Sequence, residues 1–187
     1  NSLKLRFDLG LFNPIEDQPY WKVPLSQVRT DASVQTAMLS TLESMVLLKN
    51  DNKTLPFSVG KRVAVIGPHA DATKALVGNY LGQICEDDTF DCVTTPFQAI
   101  QSINMGGTTT FAKALPSVTS NDTSGFAEAV AMAKSADYVV LCLGIDYTVE
   151  AEDHDRSSID LPSAQHKLAQ TIFALGKATV VVLINGG

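Results

Sequence analysis

Positive charge is in deficit along this chain: 14 Lys and Arg residues stand against 20 Asp and Glu, for a formal net charge of -6 and a pI near 4.9. A nucleic acid or an anionic membrane surface calls for a basic face, so neither is expected as the main partner. Long apolar runs are also missing, and none approaches the roughly 20 residues of a membrane span. Cysteine is limited to Cys85, Cys92 and Cys142, and no further Cys or His completes a tetrahedral zinc set with them. The glycine-rich phosphate loops are absent: Val65-Ile-Gly-Pro-His-Ala70 lacks the G-x-G-x-x-G pattern, and no G-x-x-x-x-G-K-[ST] occurs. Ser157 and Ser158 stand in no G-x-S-x-G elbow, and neither His69 nor His154 has the partners of a nucleophile triad or a metal site. These histidines and serines are expected to be structural, and no metal or other cofactor is implied.

What is present is a soluble globular composition, 45% apolar and 18% charged over 187 residues, enough for one well-cored domain with extra segments. The chain starts without Met and has no signal-like opening, and it stops just past the apolar run Val180-Val-Val-Leu-Ile184, which reads as a buried strand. It is expected to be a piece of a longer protein. Residues 1–30, rich in Pro, aromatics and turns, read as an interdomain linker, and residues 31–187 as the main domain. In the latter, Thr30 or Asp31 caps a helix from about Ala32 to Leu48 whose apolar face is expected to join a core. Strands are expected at 61–68, more weakly at 108–114, then at 137–143 and 178–184, with helices at 124–135 and from Leu161-Pro-Ser163 to about 175. That alternation predicts an α/β fold, a three-layer αβα sandwich around a mostly parallel sheet.

The densest chemistry follows the strand Tyr138-Val-Val-Leu-Cys-Leu143. The segment Gly144-Ile-Asp-Tyr-Thr-Val-Glu-Ala-Glu-Asp-His-Asp-Arg156 carries five carboxylates at the strand's exit, where open α/β sheets bind ligands. Crowded like charges oppose simultaneous ionisation, and glycosidic cleavage needs one carboxyl as proton donor with a second across the bond. Cys85 and Cys92, close together in a polar segment, predict a local disulfide, with Cys142 a buried thiol inside the strand. The sequons Asn52-Lys-Thr54 and Asn121-Asp-Thr123 predict surface glycosylation and a secreted, extracellular protein.

An ordered set of motifs resembles glycoside hydrolase family 3. They are Phe7-Asp-Leu-Gly-Leu-Phe-Asn-Pro14, Glu43-Ser-Met-Val-Leu-Leu-Lys-Asn-Asp51, Leu55-Pro56, Val63-Ala-Val-Ile-Gly-Pro-His-Ala70, Gly78-Asn-Tyr80 and Thr94-Thr-Pro96. The set continues with Gly144-Ile-Asp146, Glu150-Ala-Glu152, Asp155-Arg156, Leu161-Pro162 and Gln165. The resemblance implies a (β/α)-barrel domain upstream, absent from this chain, followed by an α/β sandwich. It implies a retaining mechanism with an Asp nucleophile on the barrel and a Glu general acid/base on the sandwich. Ile145 after Gly144 is similar to the branch of β-xylosidases and α-arabinofuranosidases, so the expected substrate is a terminal β-xyloside or related pentoside, such as a xylo-oligosaccharide or an aryl glycoside. A β-glucosidase of the same family, or a non-catalytic carbohydrate-binding homologue, are the alternatives. Glu150 is favoured as acid/base with Glu152 as its rival, the other of the two orienting the site by pairing with Arg156 or a backbone amide. Asp155 and Arg156 are expected to fix the loop and Asp146 to brace it. Alone, the chain is expected to be inactive.

Overall fold

A computed structural model describes residues 1–78 and 80–186; Asn79 of the Gly78–Tyr80 motif and Gly187 lie outside the described residues. The chain forms two compact units, Asn1–Lys49 and Asn50–Gly187. The first contains helix α1 (Ser2–Asp8), two single 3₁₀ turns and helix α2 (Asp31–Ser44). Thr30 caps α2, its side chain accepting from Ser33 N at 3.2 Å, but the helix ends at Ser44 rather than near Leu48. The expectation of a core helix fails as well, because none of α2 is buried and Val34, Met38 and Leu42 are all more than half exposed.

The second unit is an α/β domain built on four parallel strands: β1 (Arg62–Ile66), β2 (Thr108–Ala112), β3 (Tyr138–Gly144) and β4 (Ala178–Ile184), in the order β2-β1-β3-β4. The central strands β1 and β3 are continuous apolar runs because both of their faces are covered. On one face Ala64, Ile66, Val139, Leu141 and Leu143 pack with Ala129 and Ala133 of α4 (Phe126–Ser135) and Leu168 and Ile172 of α5 (Ser163–Phe173). On the other, Val63, Val65, Val140 and Cys142 pack with Phe97 and Ile100 of α3 (Pro96–Ile103).

Helix α3 is missing from the sequence reading. Its start is nevertheless written in the chain: Thr95 is the N-cap, Pro96 opens the first turn, and Gln98 closes a capping box, with Gln98 N donating to Thr95 Oγ1 at 3.2 Å and Thr95 N to Gln98 Oε1 at 3.0 Å. The last strand lies where the sequence predicts it. β4 pairs with β3 among the described residues, and Val181, Val182 and Leu183 are each more than a third exposed.

This strand order creates a switch point. The chain leaves β1 towards β2 on one side, then returns past β1 to lay β3 on the other, so the segments following β1 and β3 diverge from neighbouring strand ends and leave a crevice between them. The acid-rich segment is the one that leaves β3.

Candidate active site

The transition from strand to acidic loop is fixed by backbone. Gly144 has φ 142°, and a Cβ there would lie 1.9 Å from Ile184 O, so the approach of β4 admits only glycine. Gln165 on α5, fully buried, binds the same residue from the other side: Gly144 N donates to its Oε1 at 2.9 Å, and its Nε2 donates to Gly144 O and Val118 O, each at 2.7 Å. Ile145 N then donates to Ile184 O at 3.0 Å, and Ile145 O accepts from the Nε2 of buried His69 at 3.1 Å. That bond requires the proton on Nε2. Burial pushes the His69 pKa down, against this bond and the charge of Asp146. His69 is thus a neutral strut beneath the loop.

Beyond Ile145 the loop folds on itself. Asp146 Oδ1 accepts from Thr148 N at 2.9 Å and from Thr148 Oγ1 at 2.5 Å, while Asp146 O accepts from Val149 N and Glu150 N. Glu150, half-buried, takes the Nε of Arg156 on its Oε2 at 2.8 Å. Between the members of that pair the chain makes a tight turn, Ala151 and His154 exchanging both backbone hydrogen bonds at 2.9 and 3.0 Å, with Asp153 at φ 60°. Glu152 sits exposed at the tip of this turn, making no hydrogen bond or ion pair among the described residues. His154 is exposed beside it, and so is Asp155.

The loop is one wall of a cavity of about 500 Å³ at the carboxyl ends of β3 and β4. Asp146, Glu150, Glu152, Asp153 and Asp155 all line it, so the structure brings the sequence-selected acids together on one wall; Arg156 stands behind Glu150. The opposite wall, Lys74, Ala75, Gly78 and Tyr80, comes from the segment after β1, and Ile184–Gly186 supply the end of β4. Lys74 and Tyr147 are two lining residues that the sequence does not single out. Lys74 Nζ lies 4.0 Å from the Tyr147 ring centroid, although 73 positions separate them in the chain (147 − 74).

Of the remaining selected residues, Cys85 and Cys92 form a disulfide with Cα atoms 5.8 Å apart, closing a loop whose Phe90 lies 5.8 Å from Lys74 Nζ. Cys142 is a free, fully buried thiol, and burial pushes its pKa up to about 12. Asn52 and Asn121 are both exposed and lie away from the cavity lining. Among the described residues no group of three or more His, Cys, Asp or Glu is arranged to hold a metal ion, and no helix is long and apolar enough to cross a membrane.

A carboxylate-lined crevice at the switch point of a parallel α/β sheet is the place where open α/β domains bind ligands. Residues 45–187 match the glycosyl hydrolase family 3 C-terminal domain, and the chain belongs to that family. It is 39% identical over 185 residues to the probable exo-1,4-beta-xylosidase xlnD of Neosartorya fischeri, a match covering 96% of this chain and 22% of that protein. Among solved structures it is similar to a GH3 exo-beta-xylosidase, XlnD, in complex with a xylobiose aziridine activity-based probe (TM-score 0.75, 38% identity, 89% of this chain and 20% of that one). It is also similar to the beta-glucosidase of Listeria innocua in complex with isofagomine (TM-score 0.78, 27% identity, 97% of this chain and 24% of that one). The chain therefore spans less than a quarter of the length of these relatives.

Proposed function

We propose that this chain is the acid-bearing part of a retaining exo-β-xylosidase, supplying the proton donor for hydrolysis of terminal β-D-xylosides while a barrel domain preceding it supplies the aspartate nucleophile. The observation that carries the reading is the division of labour between Glu150 and Glu152 on the wall of the strand-end cavity. A proton donor needs a carboxyl oxygen turned to the leaving group and not already engaged. Glu150 has Oε2 committed to Arg156, which suits an orienting brace. Glu152, two residues on, stands at the tip of a hydrogen-bonded turn and lines the cavity without such a commitment. The geometry thus favours Glu152 as general acid/base and Glu150 as the residue that holds its turn, the reverse of the order favoured from sequence.

The xylosidase relatives at close to 40% identity support the pentoside, and the likeness to the Listeria β-glucosidase keeps a glucoside as the second reading. Hydrolysis of a panel of aryl glycosides by the complete protein separates these two, and turnover of none favours the non-catalytic homologue. The exposed sequons and the Cys85–Cys92 disulfide support a secreted, glycosylated protein.

The assignment of the acid is tested in the complete enzyme. Glu152→Gln is expected to lower kcat/KM for substrates with poor leaving groups by about 10²–10⁴-fold, the ordinary worth of general acid catalysis, and to lower it far less for activated aryl glycosides, whose leaving groups depart without a proton. Added azide is expected to speed the variant by attacking the glycosyl-enzyme where the general base is gone. If Glu150→Gln shows this leaving-group dependence and azide rescue instead, Glu150 is the donor.

A further inference from the structure

Resting on the reading of the 144–156 loop as the acid-bearing loop of a glycosidase, we infer that Lys74 and Tyr147 form the leaving-group subsite, and that it takes a neutral, hydroxyl-rich sugar unit. A general acid protonates the oxygen of the departing group, so it stands beside that group rather than beside the sugar held by the nucleophile. The leaving group therefore meets walls of the cavity that Glu152 lines, among them the acidic loop itself and the segment after β1, which contributes Lys74 and Tyr80.

Among the described lining residues, Lys74 is the cation in a cavity edged by five carboxylates. Its ammonium is held over the face of Tyr147 at 4.0 Å and within 5.8 Å of Phe90 on the disulfide-closed loop, an arrangement that positions a flexible side chain by attraction to the rings. An ammonium has three N–H donors and no acceptor, so beyond the ring it is suited to sugar hydroxyl oxygens. Tyr147, 43% exposed, adds a flat apolar surface and a phenol at the same edge. The surrounding carboxylates oppose an anionic leaving group through like-charge repulsion, leaving a neutral sugar as the matching ligand.

The test compares xylobiose, whose leaving group is a xylose unit, with β-xylosyl fluoride, whose leaving group is too small to reach this wall. In the complete enzyme, Lys74→Met and Tyr147→Ala are each expected to lower the ratio of kcat/KM for xylobiose to that for the fluoride. The loss expected for Lys74→Met is about tenfold, the size of one hydrogen bond to a charged group. Lys74→Arg, which keeps the charge and donors, is expected to return most of that ratio. Lys74 is exposed, so its replacement leaves the core intact, and an unchanged thermal midpoint checks that. If the ratio stays at the wild-type value in both Lys74→Met and Tyr147→Ala, the subsite is overturned while the glycosidase reading stands. If the wild-type protein turns over neither substrate, the glycosidase reading itself falls, and the subsite with it.

Discussion

His69 shows how a residue outside the chemistry can set the conditions in which the chemistry works. Its ring is buried beneath the acidic loop and donates to Ile145 O, and burial holds its pKa below the ordinary value of about 6.5. Because the folded pKa is the lower one, the unfolded chain binds the extra proton first as pH falls. The stability His69 contributes is then fully present above the ordinary value and is lost as pH drops below it towards the folded pKa. Thermal midpoints measured from pH 7.5 to pH 5 are expected to fall less steeply in His69→Gln, which keeps a donor for Ile145 O without a titrating ring. Equal slopes in the two proteins would remove His69 from the pH response. At this scale the sequence named the acids that share the cavity wall, and it left the choice between Glu150 and Glu152 to their surroundings. Glu150 and Glu152 have the same side chain and differ by two positions, so what separates them is the Ala151–His154 turn and the reach of Arg156, neither of which a spacing encodes. Lys74 was invisible for a related reason: it meets Tyr147 only because β1 and β3 are neighbours in the sheet.

Among elements, the strands were the most legible, since β1 and β3 are buried on both faces and appear as unbroken apolar runs. β4 carries the same kind of run and was legible in the same way. Helix α3 escaped because at eight residues it is too short for periodicity to declare itself, though its capping box was readable at Thr95-Pro-Phe-Gln98. That box sits at a demanding place. Thr95 is 3% exposed, and α3 supplies Phe97 and Ile100 to the face of the sheet opposite α4 and α5. Thr95→Ala is expected to cost about 1 kcal/mol, within the usual range for a lost N-cap, visible as a lower urea midpoint at an unchanged denaturant slope. A midpoint equal to wild type would mean that packing alone starts the helix.

For the whole molecule, the placement of the acids decides what this chain can do unaided. A retaining glycosidase needs two carboxyl groups about 5–5.5 Å apart on opposite sides of the scissile bond, one to attack the sugar and one to protonate the departing oxygen. Every carboxylate lining the cavity comes from the single segment between Asp146 and Asp155. Two of these acids are already engaged, Asp146 with Thr148 and Glu150 with Arg156. The facing wall contributes Lys74, Ala75, Gly78 and Tyr80, with no carboxylate among the described residues. The chain also spans only 22% of its xylosidase relative, which leaves room for the second carboxyl on another domain. The purified 187-residue chain is therefore expected to show no turnover of an aryl β-xyloside or of xylobiose, whereas on the proposed reading the complete protein is expected to hydrolyse both. Measurable turnover by the purified chain, free of contaminating enzyme and abolished by Glu152→Gln, would show that both carboxyl groups lie within these residues and would overturn the division of the catalytic pair between two domains.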